Sequence, residues 1–487
     1  MRIFKIVTLL LCFLQLQAQV KSNLELLDIF NYEYVSDPQI SPDGSKIIYV
    51  RNFKDVMTDR NLSNLWIIDF DGSNNRPLTT GNSNDFNPIW SHDGTRIVYK
   101  SNQQDDKMKL NLMWVDTRES YALTNTSSSP SNIAWSRDDE FLAFNMFVSS
   151  SAESIIKMPA KPEGAKWNSP PIYIDKMNYR GDGQGYTKSG NTQIFMLSTD
   201  GGTPMQLTNS EKNHGGPEWS EDGNKLYISA DLKDDKESDP ANSEIYELDL
   251  MTRKIKTLTS RFGPDGSPKV SPDGKLIAYI GNDDTFQGYT NSELYIMNVD
   301  GSNSRLISQD LDRGIENIQW ASDSKGIYFQ YTDHGDSKLS HLSLQGQVTA
   351  VTGNIGGLSL GRPYNAADFS VSANNRFAFP IASTSRPADL ASHVSGNTKK
   401  LTSLNDDLFG FRNVGEVQEI NWKSSHDGLD IQGWMVTPPD FDPTKKYPFI
   451  LEIHGGPFAS YGSVFSAEIQ AFAAAGYVVL YANPRGS

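Results

Sequence analysis

A repeat fills most of this chain and decides what it can fold into. The unit is a large apolar residue, Ser, any residue, Asp-Gly, two polar residues and an alternating apolar strand. It reads Ile40-Ser-Pro-Asp-Gly-Ser-Lys-Ile-Ile-Tyr49, then Trp90-Ser-His-Asp-Gly-Thr-Arg-Ile-Val-Tyr99, and again from Trp219 and Val270. The copy at Trp135 has lost its glycine, the one at Trp320 is weaker, and the one at Val371 is degenerate and one residue short. Starts lie roughly fifty residues apart, save for one longer gap between 135 and 219. Within each repeat a second apolar strand and a turn lead to Leu-Thr or a relative, as in Leu65 to Gly72 followed by Leu78-Thr79. About four short strands per repeat, seven times over, predict a seven-bladed β-propeller.

Turn chemistry explains the rest of the unit. Asp-Gly suits a tight hairpin, because glycine accepts the positive φ such a turn requires. The repeated aspartates lack the clustered spacing of a calcium loop and are expected to cap turns, so no metal is assigned. Trp90, Trp135, Trp219 and Trp320 recur at one repeat position and are expected to be core spacers. The long gap marks an insertion at about 150–192, with Trp167, Pro170, Pro171, Tyr173, Tyr179, Arg180 and Tyr186. A binding mouth and a simple extended hairpin are both open readings of it. Its Gly181-Asp-Gly-Gln-Gly185 has neither the preceding strand nor the following helix of a nucleotide fingerprint, and no cofactor is implied.

The chain opens with Arg2 and Lys5 ahead of an apolar run from Ile6 to Leu16, then Leu16-Gln17-Ala18. This reads as a secretory signal peptide over 1–18, giving a secreted or periplasmic protein with no membrane insertion after cleavage. Cys12 is the single cysteine and would leave with it. The formal net charge is −15, and such an acidic chain is a poor candidate for nucleic acid or anionic membranes.

After about Val414 the repeat stops. Glu416 to Lys423 and Leu429 to Thr437 read as strands joined by His426-Asp-Gly428. Phe449, Ile450, Leu451 and Ile453 form an apolar run read as a buried strand, which ends in His454-Gly455-Gly456-Pro457. Phe465, Ile469, Phe472 and Ala473 fall at helical spacing with Gly476 as the stop, and Tyr477 to Tyr481 is another apolar strand. Strand, helix, strand is the beginning of an open α/β sheet. Two glycines at a strand end can leave N–H groups aimed at charge that develops on a carbonyl oxygen.

The signal segment, the repeats, the Asp427-Gly428 turn, Lys446-Tyr-Pro-Phe, His454-Gly-Gly-Pro and Asn483-Pro-Arg-Gly-Ser487 together resemble the prolyl oligopeptidase family. The similarity is greatest to its acylaminoacyl-peptidase and dipeptidyl-peptidase-like branch. That resemblance implies a serine peptidase acting on short peptides, in which a propeller screens the hydrolase domain. It implies oxyanion donors at Gly455 and Gly456, gives Arg485 a structural loop role, and leaves room for a homo-oligomer. The expected domains are the signal peptide 1–18, the propeller 23–414 and, over 415–487, the N-terminal part of an α/β-hydrolase domain with an incomplete sheet. The family's Gly-x-Ser-x-Gly nucleophile turn should be followed by Asp and then His. Gly357-Leu-Ser-Leu-Gly361 matches in letters but lies in the repeat region ahead of Arg362-Pro363, and His454 precedes any such serine. The expectation is a C-terminally truncated peptidase, inactive as it stands, with no catalytic residue present. A non-catalytic periplasmic propeller that binds a partner protein, and an esterase on the same fold, are the alternatives.

Overall fold

A computed structural model describes residues 21–103, 107–150, 159–168, 171–234, 238, 241–456 and 458–487. The segment 1–18 with Cys12, together with Pro170 and Pro457, lies outside these residues.

Each Ser-x-Asp-Gly unit folds as its chemistry demands. Ser41 Oγ donates to Asp43 Oδ1 at 2.5 Å and accepts the Lys46 N–H at 3.0 Å, while the Gly44 N–H closes the turn on Ser41 O at 2.8 Å. Ser91–Asp93, Ser136–Asp138, Ser220–Asp222, Ser271–Asp273 and Ser372–Asn374 repeat the hydroxyl bond. The glycine position is left-handed in every copy, whether it holds Gly44 (φ 71°), Asp139 (φ 57°), Ser324 (φ 59°) or Asn375 (φ 56°). The third copy lost its glycine to a residue with a second task. Asp139 accepts the N–H groups of His92 and Asp93 from the preceding sheet, at 2.9 and 3.0 Å.

Among the described residues the repeats make seven four-stranded antiparallel sheets, each from one contiguous stretch of chain. The first, for example, runs Tyr34–Ile40, Lys46–Asp55, Arg60–Asp69 and Arg76–Pro77. In five of the seven neighbouring pairs the first strands touch one another, and hydrogen bonds from Trp135 to Ile89 O and from Gln319 to Phe369 O join the other two, so they form the inside of a ring. Apolar side chains fill the space between sheets: Ile48, Val50, Leu65 and Ile67 of the first pack on Ile97, Tyr99 and Met113 of the second.

The recurring tryptophans do more than fill space. Indole N–H groups of Trp90, Trp135, Trp219 and Trp320 donate to the carbonyls of Gln39, Ile89, Ala134 and Lys269, each in another sheet's first strand. They pin sheet to sheet, a role beyond the spacing expected of them. The first and last sheets close the ring without exchanging a strand. Val35, Ile47 and Tyr49 meet Ala378 and Leu390, and the Ile40 N–H donates to Ser370 Oγ at 2.9 Å.

The insertion leaves and re-enters the third sheet at one strand pair, Ser149 opposite Gly190. It therefore extends a hairpin between second and third strands. With Asn213 and Asp231 it lines a cavity of about 660 Å³, and Trp167, Tyr173, Met177 and Tyr186 stay exposed.

His214 supplies a pH prediction. It is buried, its Nδ1 has no partner among the described residues, and burial holds its pKa down at about 4. Its folded value lies below the ordinary 6.5, so its contribution to stability is present above pH 6.5 and fades toward pH 4. About 3 kcal/mol is at stake. His214→Gln is expected to flatten that part of the stability curve, measured by denaturant titration at each pH.

Candidate active site

The last sheet differs from the seven before it. Its order is Glu416–Lys423, Asp430–Thr437, Val478–Asn483 and Phe449–Ile453, and only the last two strands run parallel. Helix Ala467–Ala474 is capped by Ser466, whose side chain accepts the Ile469 N–H, and Gly476 (φ 94°) follows its end. Ile469 and Ala473 pack on Val436, Val479, Trp434 and Tyr481.

One expectation needs correcting. The Phe449–Ile453 strand forms, but it is the outer strand, and Phe449, Leu451 and Ile453 are 58%, 51% and 63% exposed. Alternation turns Ile450 toward the helix layer and these three to the opposite face. An apolar run specifies a strand without specifying what covers it.

The sheet seats on the ring through glycine. Tip residue Gly335 of the sixth sheet (φ 77°) lies against Tyr461 and Gly462, and a Cβ built on Gly462 would fall 2.0 Å from Gly335 O. Gln432 Nε2 donates to His334 O at 2.9 Å beside this contact. Gly462→Ala must push the two apart and is expected to remove about 1–3 kcal/mol of stability, read from thermal unfolding.

The carboxyl ends of the two parallel strands carry the site, where open α/β sheets bind their ligands. From one strand come His454, Gly455 and Gly456; from the other, Pro484 to Ser487. Gly456 has φ 136°, and a Cβ there would crowd the N atoms of Phe458 and Ala459 at 3.0 and 3.1 Å. Only glycine fits such a turn without strain. Among the described residues neither Gly455 nor Gly456 donates its N–H to any acceptor, and both are exposed.

Neighbours fix the turn. His454 is buried, its Nδ1 lies 3.0 Å from Gly455 O and its Nε2 2.8 Å from Ser487 Oγ. That geometry places the proton on Nδ1 and leaves Nε2 to accept from the Ser487 hydroxyl. No carboxylate orients the ring, so the contact ties two loops together. Tyr461 and Asn483 bond each other twice, at 2.7 and 3.0 Å, and Tyr461 Oη donates to Glu452 at 3.1 Å. Arg485 pairs with Asp427, bracing its loop against the turn at Gly428.

Beside the turn a cleft of about 690 Å³ separates the ring from the last sheet. Phe458 enters it and meets Tyr289 from the fifth sheet's loop, ring centroids 6.4 Å apart. Ser460, Arg485 and Ser487 line one wall, Asp312 and Arg313 the other. Arg313 and Lys338 both bind Asp333; burial alone would raise its carboxyl, but these cations hold it at about 2. Sequence reading found the glycines and Arg485 but not Tyr289, Phe458 or Arg313. Phe458 stands two residues past Gly456 and was within reach; nothing local marks the other two.

Ser359 sits in an irregular loop with its hydroxyl on Arg362 O, and no helix follows it. The letters around it do not make a nucleophile turn. Among the described residues no histidine has both a serine hydroxyl and a carboxylate as partners.

Residues 108–354, just over half of the chain, match the model of the TolB beta propeller domain. The chain belongs to that propeller family. This propeller protein is 29% identical over 478 residues to the uncharacterised peptidase YuxL of Bacillus subtilis, covering 94% of this chain and 70% of that one. To dipeptidyl-peptidase 5 of Porphyromonas gingivalis it is 28% identical over 476 residues, 93% of this chain and 66% of the relative. Its fold is that of the acylaminoacyl peptidase of Pyrococcus horikoshii, with a TM-score of 0.74 at 19% identity, over 94% of this chain and 66% of that one. A prolyl endopeptidase structure follows at a TM-score of 0.60 and 14% identity, over 94% of this chain and 62% of that one. The resemblance to the prolyl oligopeptidase family, read from the signal segment, the repeats, the Asp427-Gly428 turn, Lys446-Tyr-Pro-Phe, His454-Gly-Gly-Pro and Asn483 to Ser487 together, therefore holds. The propeller protein spans about two thirds of the length of these relatives.

Proposed function

We propose that this chain is part of an exported serine oligopeptidase that cleaves short peptides by acyl transfer. In this reading the seven sheets are the blades of a propeller over 23–414, and residues 415–487 begin the hydrolase domain. Gly455 and Gly456 supply oxyanion donors, and the cleft between ring and last sheet admits an extended peptide while a folded protein is too bulky to enter. One observation carries the reading: main-chain N–H groups at Gly455 and Gly456 without an acceptor among the described residues, at a turn where Gly456 excludes a Cβ, beside a cleft walled by the ring. Donors of that kind are valuable in acyl transfer because negative charge develops on the carbonyl oxygen only as the reaction proceeds.

In the same reading these 487 residues lack the Ser-Asp-His set and do not hydrolyse peptides by themselves. A fluorophosphonate probe that labels activated serines is expected to leave the chain unmodified. Labelling at Ser359 or Ser487 would overturn this part. Export predicts a mature protein that starts after Ala18 and appears in the periplasmic or extracellular fraction; a full-length N terminus in the cytoplasm would refute it.

A further inference from the structure

Each of the seven sheets ends in an outer strand, and in six of them this strand is short. Arg76–Pro77, Ser120–Ala122, Met205–Gln206, Ile255–Thr257, Arg305–Leu306 and Asn397–Lys400 run for two to four residues. Charge or proline marks most of them, at Arg76-Pro77, Lys256, Arg305 and Lys399-Lys400. Short length, charge and proline are three ways of keeping an open edge from pairing with another chain.

The sixth sheet uses none of the three. Its outer strand, Val348–Ile355, is 8 residues long and reads Val-Thr-Ala-Val-Thr-Gly-Asn-Ile. From Leu339 to Gly361 there is no Asp, Glu, Lys or Arg, in a chain where 21% of residues are charged. Among the described residues no further strand pairs with its outer side. The hairpin bond from the Ser343 N–H to Gln347 O fixes the phase of the ladder. Thr349 therefore bonds inward opposite His341, and the N–H and C=O groups of Val348 and Ala350 point outward. Bulges bend the strand beyond Ala350, with Asn354 at φ 56°, so the straight open edge is its first half.

Beside that half lies a cavity of about 600 Å³ between the sixth and seventh sheets, with Thr349 and Val351 on its wall. Four rings also line it. Tyr328 and Phe377 meet edge to face at 4.9 Å, His341 lies 5.0 Å from Tyr328, and His393 lies 5.9 Å from Phe377. Tyr328, Phe377 and His393 are buried, so the wall is already formed. Asp323 is the one acidic residue on it, with no lysine or arginine beside it there, and its carboxylate accepts the Lys325 N–H at 3.0 Å. Asp323 belongs to the turn between first and second strands, at the opposite end of the sheet from Gly335, which touches the last sheet. The site is thus remote from the hydrolytic cleft and does not rest on peptidase activity.

We propose that this edge and cavity dock an extended segment of a partner protein: uncharged along its length, anchored by an aromatic side chain and flanked by a lysine or arginine. Pairing along Val348 to Ala350 supplies main-chain bonds, and the ring-lined cavity takes the anchor. Asp323 attracts the flanking cation, and together with the formal net charge of −15 it repels an acidic segment.

The test uses the whole chain and short fluorescein-labelled peptides of alternating Thr and Val, read by fluorescence anisotropy. A peptide with a central Trp and a flanking Lys is expected to bind, and to bind about ten-fold more weakly when Trp becomes Ala or Lys becomes Glu. Ala350→Pro removes an outward N–H and should weaken binding of the Trp peptide by about ten-fold. Thr349→Trp fills the cavity from its own wall and should abolish the preference for Trp over Ala. In the wild type, the Trp peptide should slow amide exchange at Val348 and Ala350 by about ten-fold, which decides the matter should a variant fail to fold. No binding, binding indifferent to the central residue, or unchanged exchange would overturn the proposal. So would a dimer of the chain alone that Ala350→Pro disperses, because the edge would then belong to a second copy.

Discussion

Replacing Trp135 or Trp219 by alanine is expected to cost about 3–5 kcal/mol of stability, the range for deleting a buried tryptophan. Both side chains are about 5% exposed or less and sit in the cores between sheets. Each also satisfies a carbonyl of a neighbouring sheet, Ile89 O at 3.2 Å and Ala134 O at 3.1 Å. Trp→Phe separates the two contributions. It keeps most of the apolar bulk and strands one carbonyl, at about 1–2 kcal/mol. Trp320 makes the same bond at 2.8 Å from a more exposed position, so its alanine variant should lose clearly less. Denaturant midpoints for the three alanine variants check the order. Equal losses at all three would show that the bond matters and the burial does not.

The second large effect concerns chemistry. In a catalytically complete form of the proposed peptidase, Gly456→Pro removes the N–H assigned to the oxyanion and, because proline fixes φ near −65° where this turn has 136°, also breaks the turn, so kcat is expected to fall by at least about 10²–10³-fold. Gly456→Ala keeps the N–H but must adopt φ 136° and press on Phe458 and Ala459, so it should lose activity by misplacing the donor. KM should change little in both, because the missing interaction forms in the transition state. A fall in affinity with kcat intact would assign the turn to substrate binding instead.

Legibility in the sequence followed the range of the interactions. Repeat turns were readable because Ser, Asp and the left-handed position lie within four residues of one another, and their hydrogen bonds are local. The strands and helix of residues 416–483 were readable for the same reason: alternation, a serine cap and a glycine stop are all written nearby. What escaped was long-range. Nothing near Trp90 says that its indole will find Gln39 O, and nothing near Phe458 announces Tyr289. Apolar letters at Phe449, Leu451 and Ile453 gave a strand but could not say that this face would stay uncovered. Asp139 shows the converse: a lost glycine looked like decay of the repeat, yet its carboxylate takes two N–H groups of the sheet before it.

A ring of sheets that stands over a cradle for a developing oxyanion calls for a nucleophile further along the chain, and the reading frame beyond codon 487 in the source genome shows directly whether one is encoded. A strand, a Gly-x-Ser-x-Gly turn, a helix, and later Asp and His should follow in frame, and the joined product should hydrolyse dipeptidyl- or acylaminoacyl-amides. A stop codon directly after Ser487 in independent isolates, with a stable product that binds a partner protein and cleaves nothing, would contradict it.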